Sequence, residues 1–132
     1  MNETHDKSAS DHAWDELIGP FLEEVGVETL LHASSDFVTQ LVDNCDIICT
    51  VTADGTKLYP TFQFGPSGEL LPHLADVLAV LRQEEEDDWG LALWLNAPVR
   101  AFGGRSATAL LREGRADQVI VVAVHDAHRW SQ

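Results

Sequence analysis

Residues 94–115, WLNAPVRAFGGRSATALLREGR, constrain the fold more than any other part of the chain, because several helix-boundary signals fall within this one short run. Leu91, Trp94 and Leu95 recur at helical spacing behind the acidic residues 84–88, whose negative charge suits the positive N-terminal end of a helix. Pro98 biases its predecessor away from helical geometry, so this helix should stop near Ala97. Gly103 and Gly104 permit positive φ or a close backbone approach, and Ser106 can accept a hydrogen bond from the free N–H groups of a new helix. Leu110 and Leu111 give that helix its apolar side, and Gly114 marks its end. Taken alone, these signals describe two helices joined by a turn, and such a unit can serve only its own core.

With 132 residues, of which 45% are hydrophobic, the chain can bury one real core, enough for a compact domain with an appended lobe. No run reaches the apolar length needed to cross a bilayer, and the polar start MNETHDKSASDH lacks the hydrophobic centre of a signal peptide. A soluble cytoplasmic protein is the expectation. Cys45 and Cys49 are too few for a disulfide framework and read as buried thiols. The net charge of −14 is uneven: −10 over residues 1–66 and −4 over residues 67–132. An acidic surface repels phosphate backbones and favours basic protein partners.

Along the chain, residues 1–12 read as a polar tail without periodicity. Trp14, Leu17, Ile18, Phe21, Leu22 and Val25 fit one helical face, kinked or divided at Gly19-Pro20 and ending at Gly26. Val27, Leu30 and Leu31 suggest a second short helix. Ser34 and Ser35 supply a turn with N-cap chemistry, and Phe37, Val38, Leu41 and Val42 a third, which together outline a helix-turn-helix. Residues 47–51 and 57–64 are rich in β-branched and aromatic types around Asp54-Gly55, a hairpin signal. Pro60 either puts the second strand at an edge or ends its pairing there. Leu70, Leu71, Leu74, Val77, Leu78 and Leu81 form an amphipathic helix. For residues 117–128, local preference favours a buried strand, since Val119, Ile120, Val121, Val122 and Val124 are β-branched.

The order Trp94-Leu95-x-x-Pro98, Gly103-Gly104-x-Ser106, Leu110-Leu111 and Gly114 resembles the toxin-binding domain of the Xre/MbcA/ParS family of bacterial antitoxins. Leu30-Leu31, Ser35, Val38, Leu41, Ile47, the Asp54-Gly55 hairpin and Leu58-Tyr59-Pro60-x-Phe62-Gln63-Phe64 resemble the N-terminal module of the same family, so the likeness spans roughly residues 27–126. The resemblance implies a mostly α, α+β fold: a tail over 1–12, a helix-turn-helix-like module with a β-hairpin over 13–68, and a helical toxin-binding lobe over 69–132. It implies a closing helix at residues 117–128 in place of the strand. It also implies an antitoxin of a type II toxin-antitoxin system, not an enzyme, that neutralises a RES-domain NAD-consuming toxin by covering its active site, acting as a homo-oligomer. Partner-binding candidates are Trp94, Asn96, Pro98, Phe102, Gly103, Gly104, Arg105 and Arg112, since Trp, Phe and Arg often anchor interfaces. Trp94 can equally be a core residue that shapes the lobe.

The alternative function is a DNA-binding transcriptional regulator, reading bases with Thr39, Gln40 and Asn44. Against it, residues 27–44 hold no Lys or Arg and carry Glu28, Asp36 and Asp43, whereas affinity for DNA comes chiefly from cations that displace counterions. The expectation is a degenerate helix-turn-helix. His125-Asp126-x-His128 suggests acid–base or metal chemistry but also suits a helix C-terminus. Cys45 and Cys49 with His32 or His73 lack zinc-knuckle spacing. Gly103-Gly104-Arg105 before a helix could hold a phosphate, or form a tight turn with Arg105 in an ion pair. No catalytic group, cofactor or metal site is expected.

Overall fold

The structure is a computed structural model that describes residues 18–131. The expected tail at 1–12, and the helix positions Trp14 and Leu17, lie outside the described residues. The described residues include six α-helices and one small antiparallel sheet: β1 (Phe21–Leu22), α1 (Glu24–Leu31), α2 (Ser35–Asp43), β2 (Thr50–Val51), β3 (Lys57–Pro60), α3 (Leu74–Leu81), α4 (Asp88–Asn96), α5 (Ala107–Arg112) and α6 (Ala116–Trp130). This is the mostly helical α+β fold expected.

Helices α1 and α2 form the helix-turn-helix. Between them His32 takes a left-handed conformation at φ 54°, and the Ser34 hydroxyl accepts from the Phe37 N–H at 3.1 Å, capping α2. Val27, Val38 and Leu41 seal the pair onto Ile47, Tyr59 and Phe64 in the smaller of two cores. The strands lie in the order β1-β3-β2. Pro60 therefore does not make β3 an edge strand; β3 is central, and Pro60 ends its pairing before a 3-10 turn at Thr61–Gln63.

Two local expectations are corrected. Phe21 and Leu22 are not helical: beyond Gly19-Pro20 they pair with Pro60 and Tyr59. Strand alternation then sends Phe21 to the larger core and Leu22 to the smaller one, so two adjacent residues bridge both. Nor does a helix end at Gly26; α1 runs through it, and the absent side chain admits Leu22, whose Cδ2 would lie 3.1 Å from a Cβ there.

The larger core gathers α3, α4, α5 and α6 and takes in Ile18, Ile48 and Phe62 from the N-terminal half. Residues 18–68 thus contribute to both cores. The linker is pinned at Gly68, where φ is 83° and a Cβ would fall 2.2 Å from the Leu30 carbonyl oxygen of α1. Leu70 and Leu71 precede α3, Leu70 bridging Phe64 and Leu71 entering the larger core. Residues 117–128 are helical, against their local strand preference. Ala116, Val119, Ala123 and Ala127 form the buried stripe of α6, and small residues on that stripe let it pack closely on α3.

Candidate functional site

The run that opened the sequence reading folds as its boundary signals require. Asp87 caps α4, accepting from the Trp89 N–H at 3.2 Å, and the helix ends at Asn96, ahead of Pro98. The next segment closes on itself: the Val99 N–H donates to the Arg105 carbonyl at 3.0 Å and the Gly104 N–H to the Val99 carbonyl at 2.9 Å. Gly103 and Gly104 stand at φ 69° and 88°, as the elbow demands. Ser106 caps α5, accepting from the Ala109 N–H at 3.1 Å, and buried Thr108 donates to the last free carbonyl region of α4 at Leu95, 3.0 Å away.

Between this segment and α6 lies a groove of about 540 Å³ lined by Trp94, Ala97, Pro98, Val99, Arg100, Ala101, Val121, Val122, His125, Asp126 and Arg129. Trp94 is half-buried, packed against the larger core on one side and open to the groove on the other. Its indole N–H donates to Asp126 Oδ2 at 2.8 Å, while Asp126 Oδ1 accepts from Arg129 at 2.9 Å. One carboxylate therefore orients the half-buried aromatic wall, a preorganisation that lowers the entropic cost of binding, and pairs with an exposed cationic rim. Arg100 and Arg129 outnumber Asp126 among the charged residues that line the groove, on a protein of net charge −14.

Of the sequence-derived candidates, Trp94 and Pro98 line the groove. Gly103, Gly104 and Arg105 are exposed on the loop that closes next to it. Arg105 is ion-paired with Glu113, and that hydrogen bond holds the Glu113 carboxyl below its ordinary range; the tight turn with a paired arginine is the form taken here. Asn96 turns its amide back onto the Ala92 carbonyl at 2.8 Å. Phe102 is buried in the larger core and can only support the loop. Arg112 is directed elsewhere, donating to the Phe62 carbonyl at 2.9 Å and tying α5 to the 3-10 turn.

Sequence reasoning missed Arg100, Val121, Val122 and Arg129, and treated His125 and Asp126 only as possible acid–base or metal groups. The signal was present: once residues 117–128 are helical, Val121, Val122, His125, Asp126 and Arg129 share one side of a 3.6-residue repeat. Asp126 is committed to Trp94 and Arg129, and no cluster of three metal-binding side chains occurs among the described residues.

The second candidate surface is the outward side of α2. Thr39, Gln40 and Asn44 are exposed there with Asp36, Asp43 and a 47%-exposed Phe37. Ser35 donates to the Glu24 carboxylate at 2.9 Å, so α1 adds negative charge beside the start of α2. Cys45, expected to be buried, is exposed, because the chain leaves α2 through a left-handed residue at that position with φ 62°. Cys49 is buried as expected.

No helix among the described residues is long and apolar enough to cross a membrane. No protein-family model matches the chain, and no curated protein matches it. Among solved structures, the chain is similar to the NMR structure of Rv2175c, with a TM-score of 0.70 and 21% sequence identity over 82% of this chain and 81% of that one. At that identity the likeness extends to the fold alone: the helix-turn-helix, the small sheet and the helical lobe belong to an architecture already seen in another protein.

Proposed function

We propose that this protein acts by stoichiometric binding, as a cytoplasmic antitoxin that holds a RES-domain NAD-consuming toxin inactive through its C-terminal lobe. The observation that carries the reading is the groove beside Trp94, in which an aromatic wall and Arg129 are set in place by Asp126 and flanked by Pro98, Val99 and Val121. Tryptophan and arginine beside an apolar cleft are the residue types that dominate binding energy at protein interfaces. The resemblance of residues 94–115 to a toxin-binding lobe supplies the class of partner.

Co-expression with the products of neighbouring genes, followed by an assay of NAD depletion, tests this. A stable complex with a growth-inhibiting, NAD-consuming neighbour is expected, and Trp94→Ala is expected to weaken it by about 2 kcal/mol or more, at least tenfold in affinity. Arg100→Glu, at the exposed rim, should weaken it less. If no neighbouring product is captured, or if Trp94→Ala binds as tightly as the parent, the reading fails.

The alternative, a DNA-binding regulator, is favoured by one observation: Thr39 and Gln40 on the second helix of the pair, and Asn44 at its C-terminal end, are all exposed to solvent. Electrostatics opposes it, since α1 and α2 contain no cation and present Glu24, Glu28, Asp36 and Asp43. A gel shift at low salt with the DNA upstream of its own gene decides the matter. Tight, sequence-selective binding would overturn the charge argument.

A further inference from the structure

The groove beside Trp94 shows solvent a charge opposite to that of the chain as a whole, although an aspartate lies within it. Asp126 accepts from the Trp94 indole N–H with one oxygen and from Arg129 with the other. Its side chain is 17% exposed and that of Arg129 is 64% exposed, so the carboxylate is covered and the guanidinium is what a partner meets. Arg100 stands on the other side of the groove, in the 3-10 turn Arg100–Phe102. It is exposed and forms no ion pair among the described residues. Between the two cations the walls are apolar: Trp94, Pro98 and Val99 on one side and Val121, 68% exposed, on the other.

Two cations flanking an apolar cleft do not suit nucleic acid. A phosphate backbone is held by a row of Lys and Arg, and a net charge of −14 repels a polyanion. They suit a segment of protein whose apolar side chains fill the cleft and whose carboxylates sit at its borders. A basic segment is drawn to the acidic rest of the chain and repelled here, so the arginines discriminate as well as attract. Along α6 the lining runs from Val121 to Arg129, a rise of about 12 Å, which about two turns of helix or about four extended residues would cover.

We propose that the groove takes an apolar, acidic segment of a protein partner, its carboxylates pairing with Arg100 and Arg129 while its apolar side chains cover Trp94 and Val121. This assignment rests on the reading of the groove as the partner's seat and adds the polarity of what enters it: the partner contributes carboxylates here, although this chain is itself acidic.

Selection of random displayed peptides against the full chain tests this, followed by fluorescence anisotropy with the peptide that wins. Peptides that carry Asp or Glu beside large apolar residues should be enriched. The selected peptide should bind Val121→Asp at least about tenfold more weakly than the native chain, which locates it in the groove. Arg100→Glu should weaken it about fivefold, and the same peptide with its carboxylates changed to lysine should bind Arg100→Glu better than it binds the native chain. That exchange separates the ionic contact from any effect on folding, and both substituted side chains are exposed. Enrichment of no peptide, or of peptides without acidic residues, would overturn the proposal. So would a peptide indifferent to Val121→Asp, or a lysine form without preference for Arg100→Glu. Failure of the antitoxin reading looks different: the peptide results hold while no neighbouring gene product is captured. Conversely, a toxin complex that needs Trp94 and ignores Arg100→Glu would overturn the acidic-segment assignment and leave the antitoxin reading standing.

Discussion

Gln63 does at one position what a strand would do over several. It is fully buried, its Oε1 accepts from the Ile48 N–H at 2.7 Å, and its amide nitrogen donates to the Ile48 carbonyl at 2.8 Å and to the Pro60 carbonyl at 3.1 Å. Ile48, outside any strand, therefore keeps both its backbone groups satisfied without a ladder. Gln63→Leu should cost about 2–3 kcal/mol by stranding the Ile48 amide and carbonyl in the core, read as a lower urea midpoint with unchanged slope. Nearby, burial pushes both the Cys49 thiol and the Tyr59 hydroxyl, which share a hydrogen bond, above their ordinary values of 9.0 and 10.0. Each is held protonated in the folded chain, so the unfolded state binds fewer protons once pH exceeds those values, and stability must fall as pH rises. Urea midpoints should therefore be flat through neutral pH and decline above about pH 9, and Cys49→Val should remove the thiol's share of that decline.

Helices and turns with strong punctuation were legible in the sequence; the elements fixed by tertiary contacts were not. α4, the Gly103-Gly104 elbow and α5 fall where Pro98, Ser106 and Gly114 require, because capping and positive φ are local properties. α6 is the opposite case. Its central valines favour a strand locally, and it is helical because Val119 and Ala123 share a buried side with Ala116 and Ala127, a match that appears only against α3. Phe21 and Leu22 erred the other way: they continue an apolar helical pattern, yet the partner strand that claims them lies nearly forty residues downstream, at Tyr59 and Pro60. The same distance effect hid half of the groove. Trp94 and Pro98 were readable within one motif, while Val121, His125 and Arg129 join them only after α6 folds back.

At the scale of the molecule, the two cores are joined by one partly buried ionic contact. Arg82, at the end of α3, donates to Asp88 at 2.7 Å and to the Ile47 carbonyl at 3.2 Å, and the other oxygen of Asp88 accepts the Cys49 N–H at 2.8 Å. Two residues of the C-terminal lobe thus hold the backbone on both sides of Ile48, whose side chain enters the larger core while Ile47 and Cys49 enter the smaller one. Both charged side chains are under one-fifth exposed, at 17% and 19%, so truncating one leaves the other in a poorly solvated site. Arg82→Ala should cost about 2–4 kcal/mol. Asp88→Asn keeps an acceptor for Cys49 but removes the charge, so the double variant should cost less than the two single changes added together, with a coupling of about 1–3 kcal/mol. The measurement is a urea titration followed by tryptophan fluorescence in a chain carrying Trp14→Phe and Trp130→Phe, which then reports Trp89 and Trp94 against the larger core, alongside far-ultraviolet circular dichroism, which reports all helices. In the parent the two probes should coincide, because Ile48, Phe21 and Leu22 tie the cores into one cooperative unit. In Arg82→Ala they should separate, with helical signal from α1 and α2 lost before the tryptophan environment changes. Coincident transitions in that variant, at an unaltered midpoint, would mean that the apolar bridge alone couples the halves and that the ion pair adds nothing to their union.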